Sequence, residues 1–200
     1  FRIDGIDLHD RSGLSVSGAG DVNGDGMADL IIGASGANPG GTDATGETFV
    51  VFGKVDNAVV DLGALGSAGF QINGIDGYDL SGHAVSGAGD VNGDGLSDLI
   101  IGAYRADPGG ASQAGESYVV FGKTGNSTIN LGSLGTNGFR INGIDADDES
   151  GRAVAGAGDV NGDGLADLFV GARGANGQAG EGYVVFGRAG ISAVDLGNLN

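Results

Sequence analysis

Residues 18–26 read Gly-Ala-Gly-Asp-Val-Asn-Gly-Asp-Gly, and this stretch decides the organisation of the chain because it occurs three times. The two further copies occupy residues 87–95 and 156–164. A second motif, Phe-x-Ile-x-Gly-Ile-Asp, starts at Phe1 and recurs with the same spacing of 69 residues. Self-similarity at one fixed period indicates a repeat architecture. We therefore treat the chain as a single array, without a second domain, of repeats at about residues 1–69, 70–138 and 139–200.

Each repeat contains four short apolar runs that we predict to be strands. In the first repeat they lie at residues 1–5, 14–17, 30–33 and 48–53. The last two are apolar at consecutive positions, which indicates burial on both faces, as when sheets stack face to face. A four-stranded sheet that repeats and needs neighbours on both faces is a β-propeller blade. The predicted fold class is all-β, with three four-stranded blades; a parallel β-helix is the alternative, although its coils are usually shorter.

Three blades are too few to close a propeller, which typically has about 4–8 of them. Either the chain is a segment of a larger propeller, which we favour, or a second copy completes the ring. In both cases the strand at Phe1 can complete a blade contributed elsewhere. The segment that begins at Val60 and recurs in each repeat is predicted to be a packed connection.

The composition excludes several function classes. The net charge is -17, which repels nucleic acids and anionic membrane surfaces. No stretch approaches the 18 apolar residues of a membrane-spanning helix, so we expect no membrane insertion. The chain has no Cys, which excludes disulfides and thiolate metal sites. The acidic residues are not evenly spread, since nine of the 26 lie in the segments 21–29, 90–98 and 159–167.

Oxygen-bearing side chains occupy the first, third, fifth and ninth positions of the segment from Asp21 to Asp29. Ca²⁺ takes about 6–8 oxygen ligands, so a loop that serves it must turn several side chains inward. Gly24 and Gly26 permit the backbone torsions that this wrapping requires. Three carboxylates so close together repel one another unless a cation lies among them, and the segment holds no Lys or Arg. We predict about three calcium ions, one per repeat.

Each predicted calcium site uses four side chains and the backbone carbonyl of the seventh position. The ligands of the three sites are Asp21, Asn23, Asp25, Met27 and Asp29; Asp90, Asn92, Asp94, Leu96 and Asp98; and Asp159, Asn161, Asp163, Leu165 and Asp167. Zn²⁺ prefers His or Cys, and Mg²⁺ prefers fewer protein ligands. The alternative without a metal is an ordinary turn rich in Gly and Asp. Three identical copies favour the metal, in an architectural role that stiffens the loop.

The first six positions of the motif also resemble an EF-hand, which places a bidentate Glu at position 12 and helices on both sides. Position 12 here is Ile32, Ile101 or Val170, each within a β-rich run. The motif is therefore predicted to be the loop of a β-hairpin, closed by the aspartate at position 9. Without the Glu, such sites suit millimolar extracellular calcium, so we expect a secreted or cell-surface protein.

The run Gly-Asp-Val-Asn-Gly-Asp-Gly-x-x-Asp-Leu-Ile-Ile-Gly-Ala, followed by Val-Val-Phe-Gly, resembles the FG-GAP repeat of integrin α-subunit β-propellers and their bacterial relatives. The resemblance implies calcium in the hairpin loops of one face and partner binding on the opposite face. The loops of that opposite face would be residues 7–12, 76–81 and 145–150, together with 35–45, 104–114 and 173–179. The last three differ in length and chemistry, as expected of loops that bind rather than support the fold.

Catalysis is not expected from these residues. The two histidines, His9 and His83, occupy different positions in their repeats, and no Gly-x-Ser-x-Gly motif is present. The glycine-rich runs lack the Lys-Ser/Thr ending of a nucleotide-binding loop. The sequence favours a non-enzymatic, extracellular, calcium-binding propeller module for cell adhesion or for binding a protein or glycan ligand. The alternative is an accessory propeller of a secreted hydrolase or other enzyme.

Overall fold

The computed structural model describes residues 1–41 and 43–199, and its regular structure is almost entirely β. The first sheet contains β2 (Ser15–Gly20), β3 (Asp29–Ala34), β4 (Glu47–Val51) and β6 (Gly69–Asn73). The second contains β7 (Ala84–Gly89), β8 (Asp98–Ala103), β9 (Glu116–Val120) and β11 (Gly138–Asn142). The third contains β12 (Ser150–Gly158), β13 (Asp167–Ala172) and β14 (Glu181–Val185). These sheets are the predicted propeller blades, and the ring that they begin is not closed.

The blades are out of phase with the sequence repeats. The four long strands of the first two blades are antiparallel, and the fourth of them is the Phe-x-Ile strand of the next repeat, with one short parallel strand outside it. Phe70 accordingly pairs with Val50, and Phe139 pairs with Val119. The strand at Phe1, β1 (Ile3–Asp4), therefore contributes nothing to the first blade, and among the described residues β14 has no outer neighbour. The prediction that the first strand can complete a blade formed elsewhere agrees with this arrangement.

The connecting segments are more regular than the sequence suggests. Each forms a two-residue strand: β5 (Val60–Asp61), β10 (Ile129–Asn130) and β15 (Val194–Asp195). These strands pair in parallel with β1, β6 and β11. A 3₁₀ turn follows each one, and in the first Asp61 caps the turn by accepting a 2.9 Å hydrogen bond from the Gly63 N–H. The segments are packed as predicted, since Val60 and Leu62 are buried.

Burial confirms the face-to-face stacking of the sheets. Ile100 and Val119, in the middle strands of the second blade, are completely buried. The equivalent residues of the third blade, Phe169 and Val184, are 42% and 40% exposed. Val16, on the first blade, is 64% exposed. Among the described residues no further blade covers either of these two outer faces. The blades at the two ends of the array thus present apolar faces of the kind that interior blades bury.

Adjacent blades meet through glycine backbone. A Cβ atom on Gly102 would lie 1.9 Å from the carbonyl oxygen of Gly151, and one on Gly33 would lie 2.0 Å from that of Gly82. The equivalent Gly171 faces away from the other blades, and a Cβ atom there would lie 3.5 Å from its nearest neighbour, the Ala153 carbonyl oxygen. Glycine at the two interior positions is therefore required by the distance between blades.

The innermost strands β2, β7 and β12 lie against one another and line the axis around which the blades turn. The β2–β3 hairpin and its equivalents project from one end of this axis, which we call the cage end. The loops at residues 5–14 and 35–46, with their equivalents in the other repeats, lie at the other end, which we call the opposite end. Short helical segments occur here, including a single turn, α1 (Ala175–Gln178).

Candidate functional site

The predicted calcium motifs form the hairpin loops at the cage end. In the first blade the loop joins β2 to β3, and Gly20 pairs with Asp29, the first residue of β3. The equivalent pairs are Gly89 with Asp98 and Gly158 with Asp167. Strands and not helices flank all three loops, so the hairpin prediction is confirmed and the EF-hand interpretation is excluded.

The carboxylates fold each loop around themselves. In the first loop Asp21 Oδ1 accepts hydrogen bonds from Gly24 N (2.7 Å) and Asp25 N (3.1 Å), while its Oδ2 accepts from Gly26 N (2.9 Å). Asn23 donates from Nδ2 to Asp25 Oδ2 at 2.9 Å, and Asp25 Oδ1 accepts from Met27 N at 2.8 Å. The other two loops repeat these bonds to within 0.1 Å. The identical sequences therefore give identical local structures.

The aspartate at position 9 anchors the loop to the blade. Asp29 is 1% exposed; its Oδ2 accepts from Val22 N and its Oδ1 from Gly53 N, each at 2.8 Å. Burial, opposed by these hydrogen bonds, raises the pKa of Asp29, and burial raises the pKa of the equivalent Asp98 to about 6. The sequence predicts that this residue closes the loop but does not indicate its bond to Gly53, at the end of β4.

The donor chemistry of the loops fits a hard cation. The side chains that could coordinate an ion do so through oxygen, and the acidic side chains repel one another. Asp21 Oδ2 and both Oδ atoms of Asp25 accept only one hydrogen bond each from the described residues, which leaves a lone pair for an ion. The charges of Asp25 and Asp21 contribute to the raised pKa of Asp29. Within residues 1–41 and 43–199, however, no group of three or more His, Cys, Asp or Glu side chains is gathered to hold a metal ion. A bound calcium ion would therefore compete with the N–H groups of the loop for the carboxylates.

The first two cage-end loops are also hydrogen-bonded to the following blade. Ser97 N donates to the carbonyl oxygen of Asp21, and Lys123 N donates to that of Val22, both at 2.9 Å. Ala166 N makes the same 2.9 Å bond to Asp90, and the Leu96 side chain reaches toward Gly24 of the preceding loop. The loops thus lie at the boundaries between blades, where their stiffness affects how the blades are held together.

A glutamate precedes the fourth apolar run of every repeat, namely Glu47, Glu116 and Glu181. These glutamates lie at the opposite end, away from the predicted calcium loops. Glu47 accepts a 2.7 Å hydrogen bond from Gln71 Nε2, and Glu116 pairs with Arg140 at 3.2 Å. Close to Glu116, burial together with the charge of Asp76 raises the pKa of Asp79 to about 7. These carboxylates make side-chain contacts within the opposite end.

A basic and aromatic cluster at the opposite end is absent from the sequence-based prediction. Tyr104, just after β8, contacts His83 with ring centroids 4.6 Å apart, and the Arg152 guanidinium carbon lies 4.6 Å from its ring centroid. Arg105 lies 5.5 Å from the same centroid. The sequence does hold one indication of this cluster, which is that the repeats differ here: Ser35 and Arg173 occupy the positions equivalent to Tyr104.

Among the described residues no helix is long and apolar enough to cross a membrane.

Comparison with known proteins identifies the repeat. The model of the family described as FG-GAP repeat matches residues 12–51, 81–120 and 150–185. The chain is 33% identical over 168 residues to integrin alpha pat-2 of Caenorhabditis elegans, which covers 76% of this chain and 12% of that protein. It is 31% identical over 162 residues to a phosphatidylinositol-glycan-specific phospholipase D of Dictyostelium discoideum, covering 76% of this chain and 17% of that protein. The chain thus spans less than a fifth of the length of either relative.

Proposed function

The chain belongs to the FG-GAP repeat family, and we propose that it is an extracellular, calcium-binding β-propeller module for cell adhesion or for binding a protein or glycan ligand. One observation carries the proposal. Three loops at the cage end are identical in geometry, whereas three of the six loops at the opposite end, residues 35–45, 104–114 and 173–179, differ in sequence, and the last of them is four residues shorter. Loops that must fold alike support the architecture, and loops that are free to differ provide recognition.

Calcium is proposed as a structural ion in each cage-end loop. Asp21, Asn23, Asp25 and Asp29 would hold it in the first repeat, with the Met27 carbonyl, and the equivalent residues would hold it in the others. The ion supplies positive charge where these carboxylates otherwise repel one another. Because the first two loops are hydrogen-bonded to the following blade, stiffening them would also stabilise the two interfaces between blades.

The apolar end faces are proposed to stack against further blades, from the same parent chain or from a second copy. Val160 is 59% exposed, although the equivalent Val22 and Val91 are completely buried against the following blade. On the other end face, Val16 and Leu30 line a groove of about 470 Å³. These surfaces carry the residues that interior blades use to contact one another, so a further FG-GAP blade fits them.

The module itself is proposed to have no catalytic activity, and the integrin relatives favour an interaction role. An accessory role in a larger secreted enzyme is the second candidate, favoured by the similarity to a protein named as a phospholipase D. The two candidates make the same prediction for the isolated module, which binds calcium and hydrolyses nothing. A catalytic signature elsewhere in the parent sequence distinguishes them.

Thermal unfolding with and without calcium tests the metal proposal. An ion that binds only the native state stabilises it, by about 2.7 kcal/mol per site at one hundred times its Kd. We expect the Tm to rise in millimolar calcium and to fall again in EDTA, with a much smaller effect of magnesium.

Two asparagine variants provide the matched comparison. Asp94→Asn, in the second loop, should remove about a third of the calcium-dependent shift, since one of three sites is impaired. Asp56→Asn changes an exposed carboxylate outside the loops and should leave the shift unaltered. An identical Tm of the unsubstituted chain in calcium and in EDTA would overturn the proposal.

A further inference from the structure

We propose that the opposite end contains a binding site for a carboxylate of an acidic peptide, formed by Arg105 and Arg152 against Tyr104, with Arg173 joined to them through Glu149. The proposal deepens the proposed function and rests on it, because it assigns a partner chemistry to the end that is proposed to bind ligands. We call these residues, with His83, the basic site.

Positive charge is concentrated at the basic site of a strongly acidic chain. The net charge is -17, with only nine Lys and Arg in total. Arg105 and Arg173 each come just after the third strand of their repeat, and Arg152 lies at the start of the innermost strand β12. Arg11, in the equivalent part of the first repeat, is a fourth arginine at this end. With Arg140, which pairs with Glu116, five of the nine basic residues lie at one end of the axis.

The arginines of the basic site are only partly neutralised. Glu149 pairs with Arg152 at 3.1 Å and with Arg173 at 3.0 Å, so one carboxylate serves two guanidinium groups. Asp147 lines a hollow with Glu149 and Arg173. None of the ion pairs among the described residues involves Arg105 or Arg11. An exposed guanidinium without a carboxylate partner is therefore available to a ligand.

His83 lies among the arginines of the basic site. Burial lowers the pKa of His83, and the charges of Arg152, Arg105 and Arg11 lower it further, opposed by that of Glu149. A neighbouring cation disfavours the protonated imidazole. This direction agrees with the placement of the three guanidinium groups near His83 but does not by itself define a site.

The residues of the basic site vary between repeats, whereas their backbone surroundings do not. The second repeat has His83 where the first has Leu14, and Arg105 where the first has Gly36. In every repeat the residues before Tyr104 or its equivalent are Gly-Ala at the end of a strand. The fold does not need an arginine or a tyrosine at these positions, so we attribute their clustering in one place to ligand binding.

Backbone strain is concentrated at the same end. Ten non-glycine residues among those described have positive φ, and all of them lie in opposite-end loops. Arg11 and Glu149 occupy one equivalent position, with φ of 59° and 53°. Non-glycine residues in this region are uncommon, and such strain is found preferentially at binding and catalytic sites. The strain supports an assignment to recognition that already stands on the charges and contacts.

The chemistry of the basic site favours a peptide carboxylate over an acidic glycan. The planar guanidinium of Arg105 presents paired donors that match a carboxylate in a bidentate arrangement. Tyr104 is only 6% exposed and is already contacted by His83, Arg105 and Arg152. It therefore offers no open aromatic face on which a sugar ring could stack. Glu149 and Asp147 would repel a polyanion more strongly than a ligand with one or two carboxylates.

Fluorescence anisotropy tests the proposal with the whole 200-residue chain in millimolar calcium. The probe is a labelled short peptide that carries two glutamates, and the control peptide has glutamine in their place. We expect saturable binding of the glutamate peptide, weakened by salt, and at least tenfold weaker binding of the glutamine peptide. Binding should weaken about tenfold in Arg105→Gln, the loss expected for one charge-assisted hydrogen-bonded pair.

Matched variants make the result specific. Arg2→Gln changes an exposed arginine that pairs with Asp4 and should alter peptide binding less than twofold. Equal losses in Arg105→Gln and Arg2→Gln would show general charge attraction and overturn the proposal. Tighter binding of a uronic-acid oligosaccharide than of the peptide, lost in Arg105→Gln, would overturn the assignment to peptides.

Melting the same samples in calcium and in EDTA separates this proposal from the proposed function. A calcium-dependent Tm without glutamate-selective peptide binding refutes the basic site alone. A Tm that calcium does not change refutes the calcium module, whatever the peptide result. An unaltered Tm of Arg105→Gln shows that its effect on binding is not a folding defect.

Discussion

The glycine contacts between blades give the sharpest test of the stacking. Replacing Gly102 with alanine would place a Cβ 1.9 Å from the Gly151 carbonyl oxygen, whereas real Cβ contacts essentially never fall below 3.0 Å. The two blades would have to separate by about 1 Å at this point. Both groups are backbone atoms of the sheets, so neither can rotate away.

The energetic cost follows from this separation. A radial gap of about 0.5–1 Å forfeits a quarter to a half of each dispersion contact across the interface. Forcing extra atoms into a packed site typically costs about 1–3 kcal/mol, occasionally more. Because the clash is between rigid backbones, we expect about 3 kcal/mol for Gly102→Ala. A chain of this size loses about 2–4 °C of Tm per kcal/mol, so the Tm should fall by about 6–12 °C.

Gly171→Ala is the matched control, since it makes the same change at the equivalent position of the third blade. Its Cβ would meet nothing closer than 3.5 Å, so we expect a Tm within about 2 °C of the unsubstituted chain. Calorimetry or circular dichroism on the two variants, both in calcium, measures the difference. Equal destabilisation by the two substitutions would refute the stacking geometry, because only one of them faces a neighbouring blade.

Three further predictions concern single side chains. Val22→Ala should lower the unfolding free energy by about 1–3 kcal/mol because Val22 is buried. Val160→Ala, at the equivalent position that is 59% exposed, should change it by less than about 0.5 kcal/mol. Equal effects of the two substitutions in urea denaturation would contradict the assigned burial. The pKa of Asp79 is raised to about 7, so its contribution to stability is present below its unfolded pKa of 3.8 and is lost as pH rises through 7. After screening we expect Asp79→Asn to remove about 1–2 kcal/mol of this fall between pH 5 and 8, out of an upper limit of about 3 kcal/mol within that window. Parallel pH curves for the two proteins would argue against it. Finally, Gly53→Ala would place a Cβ 2.7 Å from the Ala28 carbonyl oxygen. It should disturb the hydrogen bond from Gly53 N to Asp29 and lower the unfolding free energy by about 1–3 kcal/mol. An unchanged Tm would count against the role of Asp29 as an anchor.

The features that the sequence predicted well are local. The hairpin that ends at Asp29 follows from glycines and oxygen-bearing side chains within nine residues. The double-sided burial of the middle strands follows from consecutive apolar residues such as Ile31 and Ile32. These signals need no knowledge of what lies nearby in space.

The features that the sequence did not predict depend on partners far along the chain. A period of 69 residues gives the length of the unit but not its phase, so it does not show that Phe70 belongs to the blade of the preceding repeat. The strand at Val60 has only two residues and gives no detectable alternation. Both carboxylate oxygens of Asp29 have partners, one of them 24 residues away, and the basic site joins side chains from separate repeats.

The offset between repeats and blades has a consequence for how such arrays change in length. Each blade takes its outer strand from the repeat that follows, so the joint between repeats always falls inside a hydrogen-bonded sheet. Duplicating or deleting a 69-residue stretch whose breakpoints lie before the shorter loop of the third repeat therefore adds or removes one whole blade, whichever position in the repeat is cut. The new unit finds the same glycine contacts and the same outer strand at both of its borders. Blade number can then drift by unequal recombination without a new interface having to arise, while each added copy brings its own opposite-end loops for selection to alter.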